Sequence, residues 1–170
     1  MLPPRVLVTV LIGRTLLDSR WATEHWQPEA VELDAQSEGR AGPDGRETAQ
    51  TGSPWRFPGF AVELHRSESE GYHLNVTAPE PKIFVMCRPA EDGADPPLRP
   101  VLVTVSYNEA ARMLDGGEQV EAVPMLPDVL EWMKPFVAEH YKPEPRRKMR
   151  RNDPFAGEAP AGGRGPRRDA

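Results

Sequence analysis

The chain has 170 residues, 20 prolines, 14 glycines and one cysteine, Cys87, which excludes an intrachain disulfide and any zinc site built on cysteines. No apolar stretch reaches the roughly 20 residues of a bilayer-spanning helix, so a cytoplasmic protein with no membrane segment is expected. The formal net charge of −5 hides an asymmetry: residues 142–170 carry nine Lys or Arg against four Asp or Glu, and residues 1–141 carry twelve against twenty-two.

The first element is a β-strand in "VLVTVLI", residues 6–12; the early Arg14 and the lack of a small-residue cleavage motif argue against a secretory signal. "RWATEHWQP", residues 20–28, reads as a turn leading into a strand at 30–33, because Pro28 pushes Gln27 towards extended geometry. Residues 34–54 hold no Val, Ile, Leu, Met or aromatic side chain, so nothing offsets the entropy of ordering them. They are expected to form a disordered insert. In "FAVELH", residues 60–65, alternation gives a strand with Phe60, Val62 and Leu64 on its dry face.

"SESEGYHL" carries a capping box in which Ser67 can accept from the backbone of Glu70 while Glu70 reaches back. Strands follow at 83–88 and 101–105, the second repeating the "VLVTV" of 6–10 by coincidence rather than as an internal repeat. "SYNEAARMLDGG" holds a second capping box, Ser106 with Glu109, and Gly116 or Gly117 stops its helix. A strand at 119–124 precedes a last helix, which places Val129, Leu130, Met133, Phe136 and Val137 on one face and is kinked by Pro135. Strands outnumber helices and no glycine-rich strand-to-helix turn recurs. The expected fold is α+β: a mostly antiparallel sheet with two or three short helices, one domain over 1–141, then a flexible, disordered basic tail over 142–170.

No catalytic constellation emerges from these elements. The closest histidines, His65 and His73, lie eight residues apart across a strand end and a helix, where no ligand geometry is set. Cys87 lies mid-strand without a base nearby, as a small core residue does, and there is no nucleophile elbow. "LDGGEQ" has the glycines of a phosphate cradle, but at the carboxyl end of a helix, where the dipole repels anions. No catalytic residue, metal ligand or cofactor is assigned.

Two features point instead to a protein partner. Arg20 beside Trp21 and Trp26 has the composition of an interaction hot spot, although the simplest reading anchors both rings in the core. The basic run Arg146, Arg147, Lys148, Arg150 and Arg151 can pair with carboxylates of a partner or neutralise phosphates. No aromatic side chain is interleaved in it and the body is acidic, so nucleic acid is not the expected partner.

"SRWATEHWQPEAV", "VELHRSESEGYHLNV", "PKIFVMCRP", "GEQVEAVPM" and "YKPEPRRKMRRNDP", in that order from Val6 to Pro154, together resemble the bacterial family catalogued as domain of unknown function 3305. The resemblance implies a small cytoplasmic protein encoded near formate dehydrogenase, iron–sulfur and molybdoenzyme-maturation genes. Some relatives carry the name of a molybdopterin-guanine dinucleotide biosynthesis protein. That name requires a glycine-rich loop with a following basic residue, and "VLIGRTLLDSRW" offers only Gly13 and Arg14. The expected function is therefore a non-catalytic accessory or adaptor protein that binds a molybdoenzyme or its maturation factor. The alternative is a small nucleotide- or cofactor-handling enzyme.

Overall fold

The computed structural model describes residues 5–16, 18, 20–21, 24–34 and 54–145. Most of the insert and the tail from Arg146 onwards, with their expected disorder, lie outside the described residues. The α+β fold with antiparallel pairing is as expected, but the strands divide into two three-stranded sheets. β1 (Arg5–Leu16) is central in the first, flanked by β2 (Glu24–Leu33) and β3 (Trp55–Glu63). β4 (Lys82–Pro89) is central in the second, flanked by β5 (Leu98–Thr104) and β6 (Gln119–Pro124). The two "VLVTV" segments occupy non-equivalent places, one in the central β1 and one at the β5 edge, as coincidence requires.

The outer strands meet in pairs, β2 with β6 and β3 with β5, so both sheets contribute to one core. Val8, Val10 and Ile12 of β1, Phe60 and Val62 of β3, Ile83, Val85 and Cys87 of β4, and Val123 of β6 are all buried in it. On the opposite face of the first sheet Arg56 pairs with Glu32 at 2.7 Å. Arg56 faces Leu11 and Glu32 faces Thr9 across the ladders, so this ion pair crosses the central strand. It helps to explain why Thr9 and Leu11 are buried on the outer side.

Proline is placed where a sheet tolerates it. Pro28 lies in β2 beside the bulged Glu29, Pro58 lies in the β3 bulge with Gly59, and Pro100 lies in β5 beside the bulged Val101. All three strands flank a central one, where a missing N–H costs no ladder bond if it points outwards. This corrects the expected turn at 20–28. Pro28 does not delay the strand, which already starts at Glu24, because the adjacent bulge absorbs its missing donor. Gly59, at φ +86°, supplies the left-handed residue of its bulge and donates its N–H to Asp34 Oδ2 at 3.2 Å.

Three helices accompany the sheets. After a 3-10 turn at Arg66–Glu68 comes α1 (Ser69–Val76), then α2 (Tyr107–Asp115) between β5 and β6, and α3 (Pro127–His140) last. α2 ends as expected: Gly117 takes φ +85°, its N–H bonds Leu114 O, and Glu118 N–H bonds Met113 O. α3 buries Val129, Trp132, Met133 and Val137, with Phe136 partly buried at its edge. Trp132, left out of the expected face, completes the i, i+3, i+4, i+7, i+8 stripe, and Leu130 falls outside the core cluster. Pro135 lies on the exposed side and the helix runs on to His140, so its missing hydrogen bond leaves a carbonyl facing water rather than the core.

Candidate interaction surface

Among the described residues, the β1–β2 hairpin outgrows its sheet. β1 pairs with β3 only as far as Ile12 opposite Trp55, and with β2 as far as Leu16 opposite Glu24. Residues 13–16 and 24–27 thus form a two-stranded ribbon about 13 Å long at the usual rise per residue. Arg14, Leu16, Glu24 and Trp26 share the face that continues the core side of the sheet.

Sequence reasoning joined Trp21 and Trp26 as anchors of one turn, and the structure separates them. Trp26 lies in the ribbon, half-buried against the end of the core, with the Arg14 guanidinium 5.9 Å from its ring centroid. Arg14 also donates to Glu24 Oε1 at 3.0 Å, so one cation clamps a ring and a carboxylate of the opposite strand. Trp21 lies beyond the ribbon, 96 % exposed, and is not a core anchor. The reason is the strand that begins at Glu24: it draws Trp26 inwards and leaves the connection to carry Trp21 out. Arg20 and Asp18 are exposed beside it. Leu16, at the ribbon's end, is 71 % exposed.

Trp21 and Leu16 are the two most exposed large apolar side chains among the described residues. The expected first strand stops at Ile12, short of Arg14 and Leu16, and the expected turn at 20–28 hides Glu24, so the sequence does not mark these three residues. No clean period-2 alternation flanks "DSRWAT", so the pairing of residues 13–16 with 24–27 leaves little local signal. Arg146, Arg147, Lys148, Arg150 and Arg151 lie outside the described residues.

A second polar cluster lies where α1 meets α2. Ser106, fully buried, accepts from Glu109 N–H at 3.1 Å, the expected helix cap. The reciprocal half of that box runs through a neighbour: Ser106 N–H donates to Thr104 Oγ1 at 3.1 Å, and Thr104 Oγ1 donates to Glu109 Oε2 at 2.5 Å. Ser106 Oγ donates in turn to Glu68 Oε2 at 2.5 Å, and Arg112 bonds the other oxygen of the same carboxylate. The expected box at Ser67 and Glu70 does not form. Glu68 caps α1 by position, without a side-chain cap bond, and Glu70 instead accepts from Asn108 Nδ2 at 3.4 Å. Ser106 and Glu68 have the composition of a nucleophile and a base. With its hydroxyl hydrogen on Glu68, its oxygen accepting from Glu109 and no exposed surface, Ser106 is a fastener between elements.

The remaining chemistry-bearing groups are equally committed. Burial pushes the Cys87 thiol up to about 12, with Glu121 adding to the effect, so it is protonated and unreactive at neutral pH. His65 lies near Glu63, 3.7 Å away, and His73 stacks on Tyr141 with ring centroids 3.9 Å apart. Among the described residues, no group of three or more His, Cys, Asp or Glu is placed to hold a metal ion. No helix among them is long and apolar enough to cross a membrane.

The family model described as "Protein of unknown function (DUF3305)" matches residues 7–150, from the start of β1 through α3 and into the basic run. No curated protein and no solved structure matches the chain.

Proposed function

The chain belongs to the DUF3305 family, and on that premise we propose that it is a non-catalytic accessory or adaptor protein which binds another protein through the tip of the β1–β2 ribbon. The observation that carries this reading is the exposure of Leu16 at the end of the projecting ribbon and of Trp21 just beyond it. Arg14, against Trp26 and ion-paired to Glu24, ties the two strands of the ribbon together beneath the exposed Leu16. Arg20 flanks Trp21 and can meet a carboxylate at the rim of a partner's pocket. The basic run from Arg146 to Arg151 is assigned a second, salt-sensitive contact. The gene neighbourhood implied by the family resemblance makes a formate dehydrogenase, another molybdoenzyme or a maturation factor the first partner to test.

The test is affinity capture of the tagged full-length protein from its native host, beside Leu16→Ser/Trp21→Ser and a variant ending at Tyr141. A partner held by the wild-type protein and lost by the double variant, with thermal stability retained, is the expected result. Identical sets of retained proteins in all three would end the adaptor reading. In that case a rise in melting temperature with guanine nucleotides or molybdopterin would favour the enzymatic alternative, since a ligand of the folded state stabilises it by mass action.

A further inference from the structure

We infer that the fold is a dimer within one chain: two equivalent β-β-β-α halves, residues 5–76 and 82–140, each presenting an apolar face whose partner is the other half. This goes beyond the adaptor reading and does not depend on it. The halves run in the same order, each with its first strand central, its second and third strands on either side, and a helix after the third. Every pairing in both is antiparallel. The registers agree residue by residue. Ile12 faces Pro28 and Leu11 faces Ala30, with Glu29 bulged between, while Cys87 faces Pro100 and Met86 faces Leu102, with Val101 bulged between. One residue further along, Val10 faces Val31 and Val85 faces Val103, all four buried. On the third strands, Val8 opposite Phe60 corresponds to Ile83 opposite Val123, again all buried. Antiparallel pairing requires neither a bulge nor a proline, so finding both at the same ladder position in the two sheets is a property of the halves and not of sheets in general.

The way the halves meet has the same symmetry. β2 lies by β6 and β3 lies by β5, and exchanging the halves turns the first contact into the second, as a two-fold axis requires. The helices that end the halves, α1 and α3, meet each other, with Tyr72 edge-on to Phe136 at 5.9 Å between ring centroids. The departures lie mainly in the connections: α2 stands between β5 and β6, where the first half has residues 34–54, and β3 carries a bulge at Gly59 that β6 lacks. The repeated "VLVTV" is not the trace of this equivalence, since it lies in a central strand of one half and a flanking strand of the other. A sheet with one apolar face must bury it against another layer, and here that layer is the equivalent sheet. Along the chain only residues 77–81 join the halves. Across the junction Asn75 Nδ2 donates to Val105 O at 2.8 Å, and Glu68 accepts from Ser106 Oγ at 2.5 Å, bonds that do not need the chain to be continuous.

The test cuts the folded full-length protein at one of two exposed places, through a protease site inserted between Pro79 and Glu80 or between Asp92 and Gly93. The first cut separates the halves; the second parts β4 from β5 and β6 and so divides one half. Each cut protein is taken apart in denaturant, its pieces are remixed, and sedimentation and circular dichroism follow what re-forms. The pieces of the first cut are expected to return as a one-to-one complex whose melting temperature rises with concentration, and those of the second cut are not. A piece of the first cut that instead pairs with a copy of itself also bears the inference out, because one half then fills the place of its equivalent. Equal recovery from both cuts, recovery from neither, or a single piece that melts cooperatively as a monomer would overturn it. If an insertion itself lowers the melting temperature of the uncut chain, the same comparison is made by co-expressing residues 1–79 with 80–170 and 1–92 with 93–170, read by the same outcomes.

Discussion

Ser106 Oγ donates a 2.5 Å hydrogen bond to Glu68 Oε2, tying the start of α2 to the 3-10 turn 38 residues earlier. The same oxygen caps α2 through Glu109 N–H. Ser106→Ala removes both bonds and leaves the Glu68 carboxylate, itself mostly shielded, with Arg112 as its remaining partner here. A loss of about 1–3 kcal/mol is expected, as for a cap and a hydrogen bond to a charged group together, read as a lower midpoint in urea at unchanged slope.

Gly71 on α1 lies against the same oxygen. A Cβ built there comes 2.2 Å from Ser106 Oγ and 3.1 Å from the backbone nitrogen of Asn108. Alanine's helix propensity favours Gly71→Ala by about 1 kcal/mol, but overpacking a site fixed by backbone costs about 1–3 kcal/mol, so the net effect is destabilising. Adding Ser106→Ala removes the closest clashing atom. The double variant is expected to lose less than the sum of the two single losses in a double-mutant cycle.

Asn75, fully buried, makes three hydrogen bonds from the end of α1: its amide donates to Lys82 O at 2.7 Å and Val105 O at 2.8 Å, and its oxygen accepts from Lys82 N–H at 2.9 Å. One side chain thereby joins α1, the start of β4 and the residue after β5. Asn75→Leu leaves three backbone groups without these partners, and a loss of about 3 kcal/mol or more is expected in chemical denaturation.

Alkaline pH should weaken the fold through two buried acids. Burial pushes Cys87 from an ordinary 9.0 to about 12. Burial likewise pushes Tyr72 from 10.0 to about 12, opposed by the backbone N–H of His65 and reinforced by Glu109 and Glu68. Both are neutral when protonated, and their folded values lie above the unfolded ones, so the native state holds these protons more tightly. Their contribution is intact below about pH 9 and is lost as pH rises towards about 12. Cys87→Ala, although less stable at neutral pH, is expected to lose stability less steeply above pH 9; an identical slope would contradict the assignment.

The two tryptophans of the hairpin should behave oppositely. Trp26→Ala removes a ring packed on the core and a face for Arg14, and is expected to cost about 2–4 kcal/mol. Trp21→Ala, with 96 % of its surface already in water, should change stability by no more than about 0.5 kcal/mol while reducing partner capture. Thermal melts of the two variants, with the capture assay for the second, check both statements.

Several local features of this protein were legible because their causes are local. The alternation of Phe60, Val62 and Leu64 with Ala61 and Glu63 set the dry face of β3, and Ser106 and Gly117 marked the two ends of α2 through backbone chemistry confined to a few residues. Local rules misled where a distant group competed. Ser67 and Glu70 have the spacing of a capping box, but the carboxylates at this turn are drawn to Ser106, Arg112 and Asn108, some 40 residues away.

The α+β class, most of the strands and helices, the core position of Cys87 and the family match can all be read from residue order alone. These follow from periodicity, capping chemistry and residue order, which are properties of neighbours along the chain. Folding in three dimensions adds that the strands form two sheets sharing one core, that Pro28 is accommodated inside a strand, and that Trp26 is half-buried where Trp21 is exposed. Pairing register and bulges are settled between strands, not along one. A bulge at Glu29 supplies the place for a proline, and the β1–β3 pairing among the described residues ends at Ile12 opposite Trp55, while β1 pairs on with β2 to Leu16.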